Sequence, residues 1–125
     1  MFRLDYDVAI NVLTIHVEGF WTPEMVPELS AALLQKAQAL KVSGRSFDVL
    51  VELLDFPVQS NEVADLLTGV MTAGFAYTSG RAAVVVGSHL NKLQAERTLV
   101  HPRLRVFRSL DEGRAWLAGF RAAAA

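Results

Sequence analysis

The sequence contains no cysteine. Disulfide bonds, thiolate metal sites, iron–sulfur clusters and cysteine nucleophiles are therefore excluded. A chain without cysteine is compatible with a reducing compartment, and we expect this protein to act in the cytoplasm.

The sequence also lacks a long hydrophobic run. Residues 1–5 do not have the apolar core of a signal peptide, and the longest apolar candidate, residues 82–86, is only strand-sized. A membrane-spanning helix would need roughly 20 such residues. We therefore expect a protein that is neither secreted nor membrane-spanning. Its 125 residues, of which 52% are hydrophobic, predict one domain over residues 1–121 and a frayed tail at 122–125.

The chain also has no large excess of positive or negative charge, since its formal net charge is −1. This balance gives no general attraction for nucleic acid or for an anionic membrane. The charges are unevenly distributed, however: residues 1–80 hold 4 basic and 10 acidic side chains, whereas residues 81–125 hold 8 basic and 3 acidic ones. This asymmetry fits a docking face for an acidic partner, head-to-tail self-association, or simple uneven scatter over a small surface. The basic set includes Arg97, Arg103, Arg105, Arg108 and Arg114.

Alternating and helical hydrophobic patterns are present along the whole chain. Two amphipathic strands open it, and three more strands are predicted at residues 47–54, 81–87 and 104–108. Helices are predicted between these strands and after the last one, with hydroxyl caps at Thr22, Ser60, Ser88 and Ser109. Pro27 predicts that the first turn of the first helix is separate or bent. The order ββαβαβαβα predicts an α/β fold, with a mostly parallel five-stranded sheet and four helices in layers.

Residue sets that carry catalysis are not found in the sequence. His16, His89 and His101 do not have the spacing of metal ligands, and each is interpreted as a surface histidine. The sequence has no phosphate-binding glycine loop and no Gly-x-Ser-x-Gly elbow. We therefore predict no catalytic residues, no metal and no cofactor, and we do not expect an enzyme.

Ser60 is the first candidate site residue. It follows a buried strand by a short connector and begins a helix, so it is expected at the carboxyl edge of the sheet, where open α/β sheets present functional groups. A phosphate there would sit at a helix N-terminus and add nearly two negative charges. The alternative is an ordinary helix cap. The candidate set for a switch or a partner contact is Ser60, Asn61 and Glu62.

A second candidate set is Met71, Phe75 and Tyr77, near the end of the same predicted helix. Adaptable and aromatic side chains of this kind line sites for small apolar ligands. The same residues would also suit a dimer face or ordinary core packing. Binding or sensing of a small, lipid-like apolar ligand is therefore the alternative function.

Four segments of the chain have a recognisable pattern: residues 17–22, 47–55, 81–86 and 105–117, the last of which contains Phe-x-Ser-x-Asp-Glu followed by Ala-Trp-Leu. Together they resemble the STAS domain, and in particular its SpoIIAA-like branch of anti-sigma-factor antagonists. The resemblance implies a bacterial, non-catalytic regulatory module that binds a protein, either an anti-sigma-type kinase or a second copy of itself. By layout Ser60 matches the antagonists' switch serine, while Gln59 stands in place of their aspartate and Asn61 and Glu62 replace their small residues.

Overall fold

The computed structural model describes residues 1–124, and it describes the side chains of residues 1–119. Its strands and helices are β1 Phe2–Asp7, β2 Val12–Val17, α1 Val26–Val42, β3 Asp48–Leu53, α2 Asn61–Phe75, β4 Ala82–Val86, α3 His89–Thr98, β5 Leu104–Phe107 and α4 Leu110–Ala124. Ala125, the last residue of the tail expected at 122–125, lies outside the described residues, and the frayed tail stays a prediction.

The five strands form one sheet in the order β1-β2-β3-β4-β5. The first two strands are antiparallel and pair from Phe2 with Val17 to Asp7 with Val12, while all later pairs are parallel. The predicted α/β class, the mostly parallel five-stranded sheet and the four helices are confirmed. The observed strands are one or two residues shorter than predicted, because pairing stops before the flanking residues.

The start of α1 shows how the chain accommodates Pro27. A separate 3-10 turn, Pro23–Met25, precedes the helix, and Pro27 then falls in its first turn. The amide of a first-turn residue has no partner inside the helix, so a proline there removes nothing that the helix needs. The predicted separate first turn is confirmed.

The two faces of the sheet are covered differently. We call the side that carries α1, α2 and α3 the three-helix face, and the side that carries α4 the one-helix face. Ile15, Val51 and Val84 are register neighbours that point to the three-helix face. Leu50 and Ala83 point the other way, where they pack with Leu117 of α4.

Central strand β4 is buried along its whole length, as a parallel strand between two helical layers should be. By contrast, β1 alternates between half-buried and exposed residues because it is an edge strand with one solvent-exposed face. The carboxyl ends of the four parallel strands therefore meet at a single edge of the sheet, and the loops after them form a continuous surface.

Candidate functional site

The loops and helix starts at the carboxyl edge of the sheet form the region that we call the carboxyl rim, defined as residues 18–22, 54–66 and 87–93. It follows β2, β3 and β4, three adjacent parallel strands. Open α/β sheets place their binding groups at this edge, since the helix N-termini converge there. Ser60 lies in this rim.

Ser60 is exposed and occupies the N-cap position of α2. Its backbone is extended, and its hydroxyl oxygen accepts a hydrogen bond from the amide of Val63 at 3.2 Å. The predicted cap is confirmed. Asn61 and Glu62 are exposed beside it in the first turn, so all three residues are open to a partner, and their role as a switch or a contact stays a prediction.

Gln59, next to Ser60, is a buried polar residue that the sequence does not mark. Its side-chain amide donates to the carbonyls of Gly19 at 3.1 Å and Pro57 at 2.6 Å, and its oxygen accepts from the amide of Trp21 at 2.8 Å. A carboxylate could not make the two donated bonds, because it has only acceptors. Glutamine therefore fixes the loop after β2 to the loop after β3.

A second set of hydrogen bonds, made by side-chain amides of α3, joins that helix to the segment before α2. The backbone amide of Gln59 donates to the side-chain oxygen of Gln94 at 3.1 Å, and the side-chain amide of Gln94 donates back to the carbonyl of Gln59 at 2.9 Å. Asn91 donates to the carbonyl of Phe56 at 2.7 Å, and Phe56 packs edge-on against Trp21. These contacts tie the loops of the rim to one another and to α3.

The surface of this fixed rim carries large apolar side chains that face solvent. Phe20 is 65% exposed and Leu90 is 67% exposed. The exposed apolar side chains of the rim are Phe20, Leu54, Val58, Leu66, Leu90 and Leu93. Single exposed apolar residues are common, but a group at one edge of a sheet is typical of an interaction surface. This group is not evident from the sequence, because its leucines have the helical spacing of core residues.

Within the described side chains of the basic carboxyl-terminal third, Arg103 does not contribute to an exposed cationic face. Arg103 turns inward, donating to the carbonyls of Phe75, Thr78 and Gly80, and its guanidinium lies 4.7 Å from the centre of the Phe75 ring. This arginine satisfies carbonyls at and after the end of α2, which otherwise lack partners. Arg97, Arg105, Arg108 and Arg114 are exposed.

The histidines are dispersed over the molecule. His16 lies on the uncovered part of the one-helix face, between the carboxylates of Asp5 and Glu52. His89 is exposed in the rim, and His101 stacks on Phe75 with ring centres 3.9 Å apart. Among the described side chains, residues 1–119, no group of three His, Cys, Asp or Glu residues has an arrangement that could hold a metal ion.

Met71 and Phe75 line a space that we call the core cavity, of about 110 Å³, between the three-helix face and helices α1 and α2. Tyr77 is not among its lining residues and instead has the ammonium of Lys41 5.7 Å from its ring centre. The structure therefore separates this candidate set into two cavity residues and one residue that packs beside the main core.

Comparison with known proteins identifies the fold. The structure matches that of the anti-sigma factor antagonist SpoIIAA in its unphosphorylated form, with a TM-score of 0.64 over 95% of this chain and 97% of that one. The two sequences are 16% identical over this match, so the likeness shows the fold, and the predicted SpoIIAA-like architecture is confirmed. No family model and no curated protein sequence matches the chain. None of the described helices is both long and apolar enough to cross a membrane.

Proposed function

We propose that this chain is a non-catalytic regulatory module that binds a protein partner through the carboxyl rim, in the cytoplasm of a bacterium. The observation that carries the proposal is the set of exposed apolar side chains in the carboxyl rim, the region that also holds Ser60 and whose segments are tied together by Gln59, Asn91 and Gln94. The fold shared with an anti-sigma factor antagonist supports a regulatory role.

The apolar side chains would supply the affinity. A specific interface buries about 800 Å² on each partner, and apolar burial contributes roughly 25 cal/mol per Å². Phe20 and Leu90, the two most exposed residues of the rim group, would be its anchors. The partner is an anti-sigma-type kinase or a second copy of this chain.

Ser60 would regulate the contact. Its hydroxyl is exposed, and phosphorylation would place about two negative charges among the exposed carboxylates of Asp55, Glu62 and Asp65. The helix N-terminus favours such charge, so α2 would tolerate it. The like-charged neighbours and the apolar surface of the rim would then oppose partner binding. The expected result is a weaker complex and an intact fold.

The apolar anchors can be tested by quantitative capture of cross-linked partners in cells that express tagged variants. Phe20→Ser and Leu90→Ser should each reduce the recovery of the partner severalfold. Val42→Ser is the matched control, since Val42 is 82% exposed at the end of α1, away from the rim. Equal recovery with all three variants, each with a wild-type circular dichroism spectrum, would contradict the proposal.

The regulatory role of Ser60 needs a pair of variants that separate charge from capping. Ser60→Asp and Ser60→Asn both keep a good N-cap, and only the former adds charge. We expect Ser60→Asp to weaken partner capture and Ser60→Asn to match wild type. If both variants bind as wild type does, Ser60 is only a helix cap.

A further inference from the structure

The core cavity is a feature that the carboxyl rim does not use. Its volume is about 110 Å³, and it lies between strands β2 to β4 and helices α1 and α2, with part of its surface open to solvent. Folded domains are packed to crystal-like density and have few voids larger than a water molecule. Nineteen residues line it, and all of them except Thr78 and Gly74 have apolar side chains.

The lining gives water no hydrogen-bonding partner. Among these residues Thr78 has the one polar side chain, and its hydroxyl is already engaged. It donates to the carbonyl of Phe47 at 2.6 Å and accepts from the amide of Gly80 at 3.1 Å. An ordered water needs two to four polar partners, so this lining favours an apolar occupant over water.

Helix α2 approaches the sheet without filling the space. Val63, Leu67, Met71 and Gly74 follow its inner stripe, and a Cβ built on Gly74 would have no other atom within 4 Å. Correspondingly, Val49 and Val51 of the internal strand β3 remain only partly buried, although they face the three-helix layer. A larger residue at position 74 would be needed to close the gap.

Phe75, at one wall of the cavity, is positioned by contacts outside the cavity. It is buried and stacked against His101, and the Arg103 guanidinium lies over its ring and donates to its carbonyl oxygen. None of these contacts involves an occupant of the cavity.

We propose that the core cavity binds a small, neutral, apolar molecule of about the size of benzene. Its volume is close to that of an engineered cavity of about 150 Å³ that binds benzene. Because the Thr78 hydroxyl already has both a donor and an acceptor partner, the site would select against a charged or strongly polar ligand. This binding does not involve the rim, so it stands or falls independently of the proposed partner contact.

The test uses the methyl signals of the three methionines, Met1, Met25 and Met71, in wild-type protein labelled with ¹³C-methyl methionine. Met71 lines the cavity, whereas Met1 and Met25 do not and serve as internal controls. Titration with benzene should shift the Met71 signal saturably and leave the other two in place. Titration with benzoate, which adds a charge to the same ring, should leave all three signals unmoved.

A pair of glycine variants locates the binding. Gly74→Leu would fill the cavity from α2, and Gly69→Leu would put the same side chain on the exposed side of that helix, where a Cβ also meets no atom within 4 Å. We expect Gly74→Leu to weaken benzene binding at least tenfold and Gly69→Leu to bind as wild type does.

The proposal is overturned if saturating benzene leaves the Met71 signal in place, if the three methionine signals move together, or if benzoate acts as benzene does. Wild-type affinity in folded Gly74→Leu would also overturn it. Because the wild-type titrations decide the matter without any variant, a Gly74→Leu protein that does not fold leaves the test intact.

Discussion

Two glycines in helices that cover opposite faces of the sheet differ in what surrounds them. A Cβ on Gly113 of α4 would lie 3.0 Å from Cγ2 of Val85 and 3.6 Å from the side chains of Ala83 and Leu50. A Cβ on Gly74 of α2 would meet nothing within 4 Å. The same residue type thus permits close contact on the one-helix face and leaves a space on the three-helix face.

The difference shows how the two layers are built. A single helix that lies over β3 to β5 can approach until backbone nearly touches side chain, and small residues such as Gly113 and Ala83 make that approach possible. Three helices on the other face must also pack against one another, and α1 and α2 meet above β3 without closing the gap beneath them. The closest packing against a glycine is therefore on the one-helix face, and room for a ligand is on the three-helix face.

The largest effect is expected from truncating one leucine on each side. Leu50→Ala removes a side chain that is 2% exposed beneath α4 and should lower the free energy of unfolding by about 3 kcal/mol, within the usual range for such changes. Leu67→Ala changes a half-buried side chain that already borders the cavity, and it should cost roughly half as much. Urea denaturation measures both values. Equal losses would show that the two faces are packed alike.

A smaller difference should separate two insertions. Gly113→Leu forces a side chain into the filled one-helix face and should destabilise the protein by about 2 kcal/mol. Gly74→Leu places the same side chain in empty space and should leave the melting temperature unchanged or raise it. Thermal unfolding followed by circular dichroism compares the two variants, and a lower melting temperature for Gly74→Leu than for Gly113→Leu would reverse the comparison.

The smallest effects on stability are expected when a glycine is replaced by alanine. Gly74→Ala and Gly69→Ala should each stabilise the protein by about 0.5 to 1 kcal/mol, because alanine loses less backbone entropy than glycine in a helix and meets no neighbour at either position. Gly113→Ala should gain less than either, since Val85 must move to admit the methyl group. Chemical denaturation of the three variants in parallel resolves this order. A gain at Gly113 as large as at Gly69 would mean that α4 adjusts freely.

Local patterns were sufficient to predict the fold. Five consecutive apolar residues identify β4 as a strand buried on both sides, and a serine before a helical stripe identifies the cap at Ser60. These features depend on neighbours in sequence, so they can be read from sequence. The element order then limits the topology to a few arrangements.

The site could not be predicted in the same way. Gln59 bonds to Gly19 and Gln94, which are 40 and 35 residues away, and nothing in its local sequence indicates that it is buried. The apolar stripe of α2 has the same sequence pattern whether the helix packs tightly on the sheet or borders a void. The distance between helix and sheet depends on the tertiary structure, which the local sequence does not show. For the same reason, Leu90 in the rim could not be distinguished from a core leucine before the structure placed it in solvent.

The hydrogen bonds between Gln59 and Gln94 also affect how a molecule would bind to the carboxyl rim. Fixing the backbone of a loop residue costs about 1 to 2 kcal/mol in entropy, and here that cost is met when the chain folds. A docking molecule would find its contact points already in position, so little rearrangement would separate first collision from the final complex. Association would then be governed by diffusion and orientation, and differences between competing molecules would be expressed chiefly in how long each one stays.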